Sequence, residues 1–164
     1  MKKPCNIKTI TAKKAWFLLP SFRAITLFGV IYCKRSNDVN SINKTDYIDS
    51  MLKCHETIHV RQAENTKNSW LLFYLNYIWQ WLCNLPLIFI SLHYAYKFIP
   101  YELEAYANED IFEYPYGISN QWRMFKKELT LKDKWKYAKE YKKSKMTFRW
   151  FIREHILPYI NREA

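Results

Sequence analysis

The chain has 164 residues, a net charge of +11 and an aromatic content of 18%, which suits a single domain with a hydrophobic core. Only two glycines are present, which argues against a glycine-rich phosphate loop and favours a mainly helical fold with a short β-sheet, of the α+β class. The four cysteines include no CxxC pair, so neither a four-cysteine zinc site nor a disulfide framework is predicted.

The N-terminal part contains one predicted strand. Residues 1–8 are basic, but no apolar stretch of signal-peptide length follows them, so a cytoplasmic location is expected. Residues 24–33 are rich in β-branched and aromatic side chains and are bounded by charged residues. This pattern predicts a strand with a bulge at Gly29.

A helix is expected to begin near Asp46 or Asp49, either of which can cap it, and to end at about Asn65. The residues that share one of its faces are Ile48, Leu52, His55, Ile58, His59 and Gln62. Two histidines on an inward face need partners, because an unpaired buried polar group is costly.

Residues 68–96 form a run without charge. Asn84 and Pro86 predict a break that divides the run into two helices of roughly 15 and 12 residues, each shorter than a full membrane span of about 20. Its aromatic side chains suit both a large core and a membrane interface. Two interpretations therefore stay open, a buried or interfacial aromatic hairpin and true membrane insertion.

The C-terminal part is predicted to be helical. A proline and early acidic residues favour a helix over 100–110, and residues 114–120 form a loop that contains proline and glycine. Two basic amphipathic segments follow, 121–143 and 147–161. Their charge suits an anionic membrane surface better than nucleic acid, and a solvated helix face is the plain alternative.

His55, Glu56 and His59 form an HExxH motif. Residues four apart lie on one face of a helix, so both imidazoles can bind one ion. Glu56 lies beside them, where a carboxylate can act as general base toward a metal-bound water. The motif predicts a zinc site, and two hydrogen-bonded core histidines are the alternative interpretation.

A catalytic zinc site needs a third protein ligand. The candidates are His93, His155, Glu102 and Glu104. Lone histidines are more typical of structural positions than of metal ligands. Glu102 and Glu104 project about 200° apart on a helix, so only one of them can face the metal.

Two motifs together resemble gluzincin-type metallopeptidases, including the prenyl-protease-like branch, and a group of small bacterial proteins of unknown function. They are HExxHxxQ, which ends at Gln62, and Glu-x-Glu-Ala, which begins at Glu102. The resemblance covers about 25–110. It implies one zincin-like domain over 1–164, with a core at about 15–115 and a basic helical extension at about 121–164.

The resemblance also implies roles for individual residues. His55 and His59 are the expected ligands, Glu56 is the expected general base, and Glu102 is the third ligand, with Glu104 as the alternative. The family has an aspartate four residues after the carboxylate ligand, thought to support a histidine. Tyr106 occupies that position here, and Asn108 occupies it if Glu104 is the ligand.

Two further expectations follow from this resemblance. Strand 25–33 is expected to lie along the cleft and pair with extended substrate, with a plain core strand as the alternative. Tyr106 is a candidate electrophilic helper.

The expected function is zinc-dependent hydrolysis of a peptide or protein substrate. The alternative is a non-catalytic basic protein that associates with a membrane or nucleic acid and carries a degenerate zinc site. Because ligands on both sides of the run 68–96 must meet on one metal, that run can cross a membrane only zero times or twice. The membrane interpretation that survives is a shallow or re-entrant hairpin held against anionic headgroups.

Overall fold

The computed structural model describes residues 6–10, 24–34, 50–116 and 120–163. The chain is mainly helical with a short sheet, so the predicted α+β class is confirmed. The helices carry most of the core, and the sheet covers one side of the first helix.

The sheet has three strands, β1 (Asn6–Ile10), β2 (Ala24–Leu27) and β3 (Val30–Lys34), in the order β1-β3-β2. β1, which was not predicted, pairs parallel with β3, and β2 pairs antiparallel with β3. The single strand predicted over 24–33 is therefore wrong, because the chain reverses at Phe28 and Gly29. Their φ angles of 49° and 78° are both positive, as in the tight turns that match the twist of a two-stranded ribbon.

Helix α1 (Ser50–Asn65) ends where the sequence predicts. The expected caps Asp46 and Asp49, and Ile48 of the predicted face, lie outside the described residues. Helix α1 packs against β2 and against a later helix, α4 (Pro100–Asn108), which begins at the predicted proline.

The uncharged run divides at the predicted break into α2 (Trp70–Cys83), a 3-10 helix (Leu85–Phe89) and α3 (Tyr94–Lys97). The second predicted helix of about 12 residues is wrong. Pro86 lies in the first turn of the 3-10 helix, where its missing N–H is tolerated. None of the helices in the described ranges combines the length and the hydropathy that a bilayer-spanning helix needs.

Asn84 holds this break in place from inside the protein. It is 1% exposed, its amide nitrogen donates to the Ala95 carbonyl at 3.3 Å, and its amide oxygen accepts from Lys134 Nζ at 3.0 Å. A polar residue with these buried partners anchors the turn between α2 and α3, which explains why the uncharged run is not one continuous helix.

The basic C-terminal part forms α5 (Gln121–Glu128), α6 (Leu131–Lys143), α7 (Phe148–Phe151) and α8 (Leu157–Glu163), with a π-helical turn (Ile152–Ile156) between α7 and α8. The first predicted segment is split because the residue before α6 caps it: Thr130 and Asp133 form a capping box, which favours a helix start there.

The largest hydrophobic cluster joins these helices to α3 and α4. Its fully buried members include Leu87, Phe98, Leu103, Phe125, Phe151, Ile152 and Ile156. The C-terminal helices therefore hold α4 in place, and α4 carries one of the candidate ligands.

Candidate metal centre

Helices α1 and α4 bring two histidines and one carboxylate together. His59 Nε2 lies 3.1 Å from Glu102 Oε1, and His55 Nε2 lies 3.4 Å from Glu102 Oε2. All three residues are buried, and one ligand atom from each lies within 4.8 Å of the others. The described part of the chain contains this one group of histidine, cysteine or acidic residues with the spacing to hold a metal ion.

Glu104, the alternative ligand, faces away from the histidines. Its Oε1 accepts from the Tyr114 hydroxyl at 2.9 Å, and its Oε2 accepts from Gln62 Nε2 at 2.9 Å and from the Trp122 backbone N–H at 3.3 Å. The opposite projection of residues two apart on a helix accounts for this division. Glu102 therefore faces the cluster, while Glu104 links α4 to its neighbours.

His59 is oriented by the glutamine that ends the HExxHxxQ motif. Its Nδ1 lies 2.8 Å from Gln62 Oε1, and Gln62 Nε2 donates to the Tyr101 carbonyl at 2.9 Å. The amide oxygen can only accept, so Nδ1 of His59 carries the proton of that bond. The lone pair of the neutral ring then lies on Nε2, which points at Glu102.

His55 is oriented by a residue that the sequence did not single out. Its Nδ1 lies 3.2 Å from Glu109 Oε2. Tyr106, four residues after Glu102, packs its ring against His55 with centroids 4.7 Å apart. Asn108 donates to the Glu104 carbonyl at 2.8 Å. Glu109 follows Glu102 by about two helical turns, and this spacing is the feature of the sequence that could have indicated Glu109 as a partner of His55.

Glu56 also lies at this site, buried against β2. Its Oε2 accepts a hydrogen bond of 2.6 Å from the Thr26 hydroxyl, and Glu56, His59 and Glu102 all line the same cavity. The predicted general base is thus beside the predicted ligands. Thr26 was not predicted as a site residue, because only tertiary packing brings it to Glu56.

Charge and burial have opposite effects on the pKa values of the histidines and of Glu102 in this cluster. Burial by itself would lower the pKa of His55, but the nearby carboxylates of Glu102 and Glu109 outweigh it and raise the pKa to about 10. Burial also opposes a raised pKa at His59, where the charge of Glu102 prevails. In turn, the histidines hold the pKa of Glu102 well below its usual range despite burial. The cluster without metal is an ion pair of imidazolium and carboxylate.

One buried oxygen in this ion pair is incompletely satisfied. Glu102 Oε2 is inaccessible and makes no hydrogen bond within the described residues, since His55 Nε2 is 3.4 Å away. Oε1 is well held, because the Tyr77 hydroxyl donates to it at 2.6 Å. Burial and the charge of Glu102 raise the pKa of Tyr77 well above its usual value, so this hydroxyl keeps its proton. Two imidazole nitrogens and a free carboxylate oxygen fit the donor set that zinc prefers.

A cavity of about 390 Å³ opens onto the site. Apart from Glu56, His59 and Glu102, its lining residues are Ala24, Ile25, Thr26, Leu27, Phe73, Tyr74, Tyr77, Ile78, Trp81 and Tyr96. Strand β2 therefore forms one wall and α2 another. At the outer edge of β2 the Tyr74 hydroxyl accepts from the Phe28 N–H at 2.9 Å and donates to the Thr26 carbonyl at 3.3 Å.

The remaining candidate ligands lie elsewhere. His93 is exposed before α3, and His155 stacks on Phe151 with ring centroids 4.7 Å apart. Cys54 is buried with Sγ 3.5 Å from the Ile111 carbonyl. Burial and nearby acidic groups raise the pKa of this thiol to about 11, so it packs as a neutral side chain.

Comparison with protein families, curated proteins and solved structures gives no match to this chain. The cluster itself is therefore the basis for assigning a function: it combines two oriented imidazoles, one carboxylate with a free buried oxygen, and an acidic neighbour on the same cavity.

Proposed function

We propose that this protein is a zinc-dependent metallohydrolase of the gluzincin type, acting as a peptidase. The observation that carries the proposal is the cluster of His55, His59 and Glu102, whose ligand atoms lie within 4.8 Å of one another, with Glu56 on the same cavity. Structural zinc sites usually have four protein ligands, whereas catalytic sites have three and keep one position for water. Three ligands beside a cavity match the catalytic arrangement.

Bound zinc would act as a Lewis acid, which would lower the pKa of a coordinated water and polarise the scissile carbonyl. Glu56 would serve as the general base that takes a proton from the attacking water and returns it to the leaving amine. Thr26 donates to Oε2 of Glu56, which fixes the orientation of the carboxylate and leaves Oε1 for proton transfer. Tyr77 holds Glu102, while Gln62 and Glu109 hold the two imidazoles.

The cavity supports a peptide substrate with a large apolar side chain near the scissile bond. Its walls are mostly aliphatic and aromatic, and such walls recognise apolar groups by removing them from water. An extended peptide lying along β2 would take over the Phe28 N–H and the Thr26 carbonyl. Those are the two groups that Tyr74 now holds.

The ligand assignment is tested by measuring zinc in the purified protein. The wild type is expected to hold one equivalent, and His59→Ala and Glu102→Ala are expected to lose it. Glu104→Gln is the matched control, because it changes a buried carboxylate on the same helix that faces away from the cluster. Absence of zinc from the wild type, or loss of zinc in Glu104→Gln alone, would contradict the assignment.

Catalysis is tested separately with Glu56→Gln. This variant keeps the shape of the side chain and is expected to bind zinc while losing hydrolysis of a peptide library that the wild type cleaves. A zinc-loaded wild type that cleaves no peptide would instead favour the alternative, a basic binding protein with a degenerate zinc site.

A further inference from the structure

Helix α2 and the turns that follow it expose an unusually apolar surface. No charged residue occurs within 68–96. The exposed large side chains there, which we call the apolar face, are Leu71, Leu72, Leu75, Ile78, Trp79, Trp81, Leu82, Ile88, Phe89 and Leu92. Single exposed apolar residues are ordinary, but a group of this size on one short segment marks an interaction surface.

The spacing within α2 places four of these side chains on one side of the helix. Leu71, Leu75, Ile78 and Leu82 are separated by four, three and four positions, which places them in one stripe along the helix. A surface helix normally turns such a stripe toward the core, but here the stripe is exposed. At the other end of the segment, Phe89 and Leu92 are 83% and 80% exposed.

Two lysines, one on α5 and one on α6, contact the segment that carries this face. Lys126 Nζ donates to the Asn76 side chain on α2 at 3.4 Å, and Lys142 Nζ donates to the Ile90 carbonyl at 2.8 Å. Ile90 directly follows Phe89, so Lys142 places its positive charge close to the exposed Phe89. The other exposed cations of α5 and α6 are Arg123, Lys127, Lys132, Lys136, Lys139 and Lys143.

We propose that the apolar face docks on the surface of an anionic lipid bilayer. Its apolar side chains would enter the boundary between headgroups and acyl chains, while Lys126 and Lys142 contact lipid phosphates. Trp79 and Trp81 are of the residue type that settles at this depth. A second copy of the chain fits less well, because it would bring the same positive rim against this one.

The cavity opens at this surface. Ile78 and Trp81 are 54% and 40% exposed on the apolar face, and both also line the cavity. A docked molecule would therefore present the cavity to the membrane, and its substrate would be a peptide segment lying at or in the bilayer surface. The inference about the substrate rests on the proposed peptidase function, whereas the inference about docking does not.

Docking is tested by sedimenting the full chain with vesicles of phosphatidylcholine alone and of phosphatidylcholine mixed with phosphatidylglycerol. The wild type is expected to bind the mixed vesicles more tightly, and added salt is expected to weaken that binding. The double substitution Phe89→Ser with Leu92→Ser should weaken binding at least roughly tenfold, because two large apolar side chains no longer leave water. Phe112→Ser is the matched control, since Phe112 is an exposed phenylalanine outside the apolar face.

Two results would overturn the proposal. One is a folded wild type that does not sediment with the anionic vesicles. The other is a dimer in light scattering that the Phe89 and Leu92 substitutions dissociate, because a second copy would then cover the face. The vesicle assay needs neither substrate nor turnover, so a failure of docking is distinguishable from a failure of the peptidase proposal.

Discussion

Glu109 Oε2 lies 3.2 Å from Nδ1 of His55, on the side of the ring away from Glu102. The same carboxylate faces Arg149 of α7, with Nη1 3.6 Å from Glu109 Oε1. The residues that support one candidate ligand therefore extend from α1 to the basic C-terminal helices, which lie outside both the HExxH and the Glu-x-Glu-Ala motifs.

Glu109→Gln should lower zinc affinity by about 10- to 100-fold, because a carboxylate partner orients the imidazole and raises its basicity. The measurement is competition for zinc with a chromophoric chelator. Glu113→Gln is the control, since Glu113 is an exposed carboxylate on the same connection. Equal affinities for both variants and the wild type would show that Glu109 does not support a metal ligand.

Zinc binding at neutral pH should release at least the proton of His55, because only neutral histidine binds the metal. The pKa of His55 is raised to about 10, so this ring is protonated at pH 7 before zinc binds, and the pKa of His59 is raised as well. Lowering the pH should therefore weaken zinc binding further. Calorimetry in buffers of different ionisation enthalpy measures the protons released, and a binding enthalpy that does not depend on the buffer would contradict this account.

Thr26→Val should lower kcat by roughly tenfold without loss of zinc, because the Glu56 carboxylate loses the hydroxyl that orients it. Valine has nearly the same shape as threonine, and Thr26→Ser, which retains a hydroxyl, should keep most of the activity. Steady-state kinetics together with metal analysis checks both variants. A Val variant as active as the Ser variant would remove Thr26 from the mechanism.

Tyr74→Phe should lower KM for extended peptides and leave kcat close to that of the wild type. Its hydroxyl now holds the Phe28 N–H and the Thr26 carbonyl, so a peptide that pairs with β2 competes with it for both groups. Kinetics with peptides of increasing length provides the measurement. An unchanged KM for every length would indicate that substrate does not pair with this edge of the strand.

Lys134 should make the stability of the fold depend on pH in the alkaline range. Burial lowers its pKa from 10.5 to about 8. Between these values the unfolded chain binds a proton that the folded chain does not bind, so the free energy of unfolding rises with pH through this window. Lys134→Met should remove that rise, whereas Lys132→Met, at an exposed position on the same helix, should keep it. Urea denaturation at several pH values between about 7 and 10.5 is the measurement.

The sequence by itself determined the features that depend on neighbours along the chain. The i, i+4 spacing of His55 and His59 places them on one face of α1, and Pro100 starts α4, because both effects act within one helix. The break at Asn84 and Pro86 is local in the same way. These features were enough to predict a helical protein with both histidines of the HExxH motif on one helix face.

Tertiary packing decided which side chains complete the site. Glu102 and Glu104 are equally good ligands by composition, and only the packing of α4 against α1 turns one toward the histidines. Thr26 and Glu109 reach the site across about 30 and 54 positions of chain, too far for any helical or strand period to relate them. The β2–β3 reversal likewise depends on a positive φ at Phe28, a residue type that gives little warning of it. The periodicity of a sequence predicts which residues share one face of a helix or strand, whereas the contacts between two such faces form only when the chain folds.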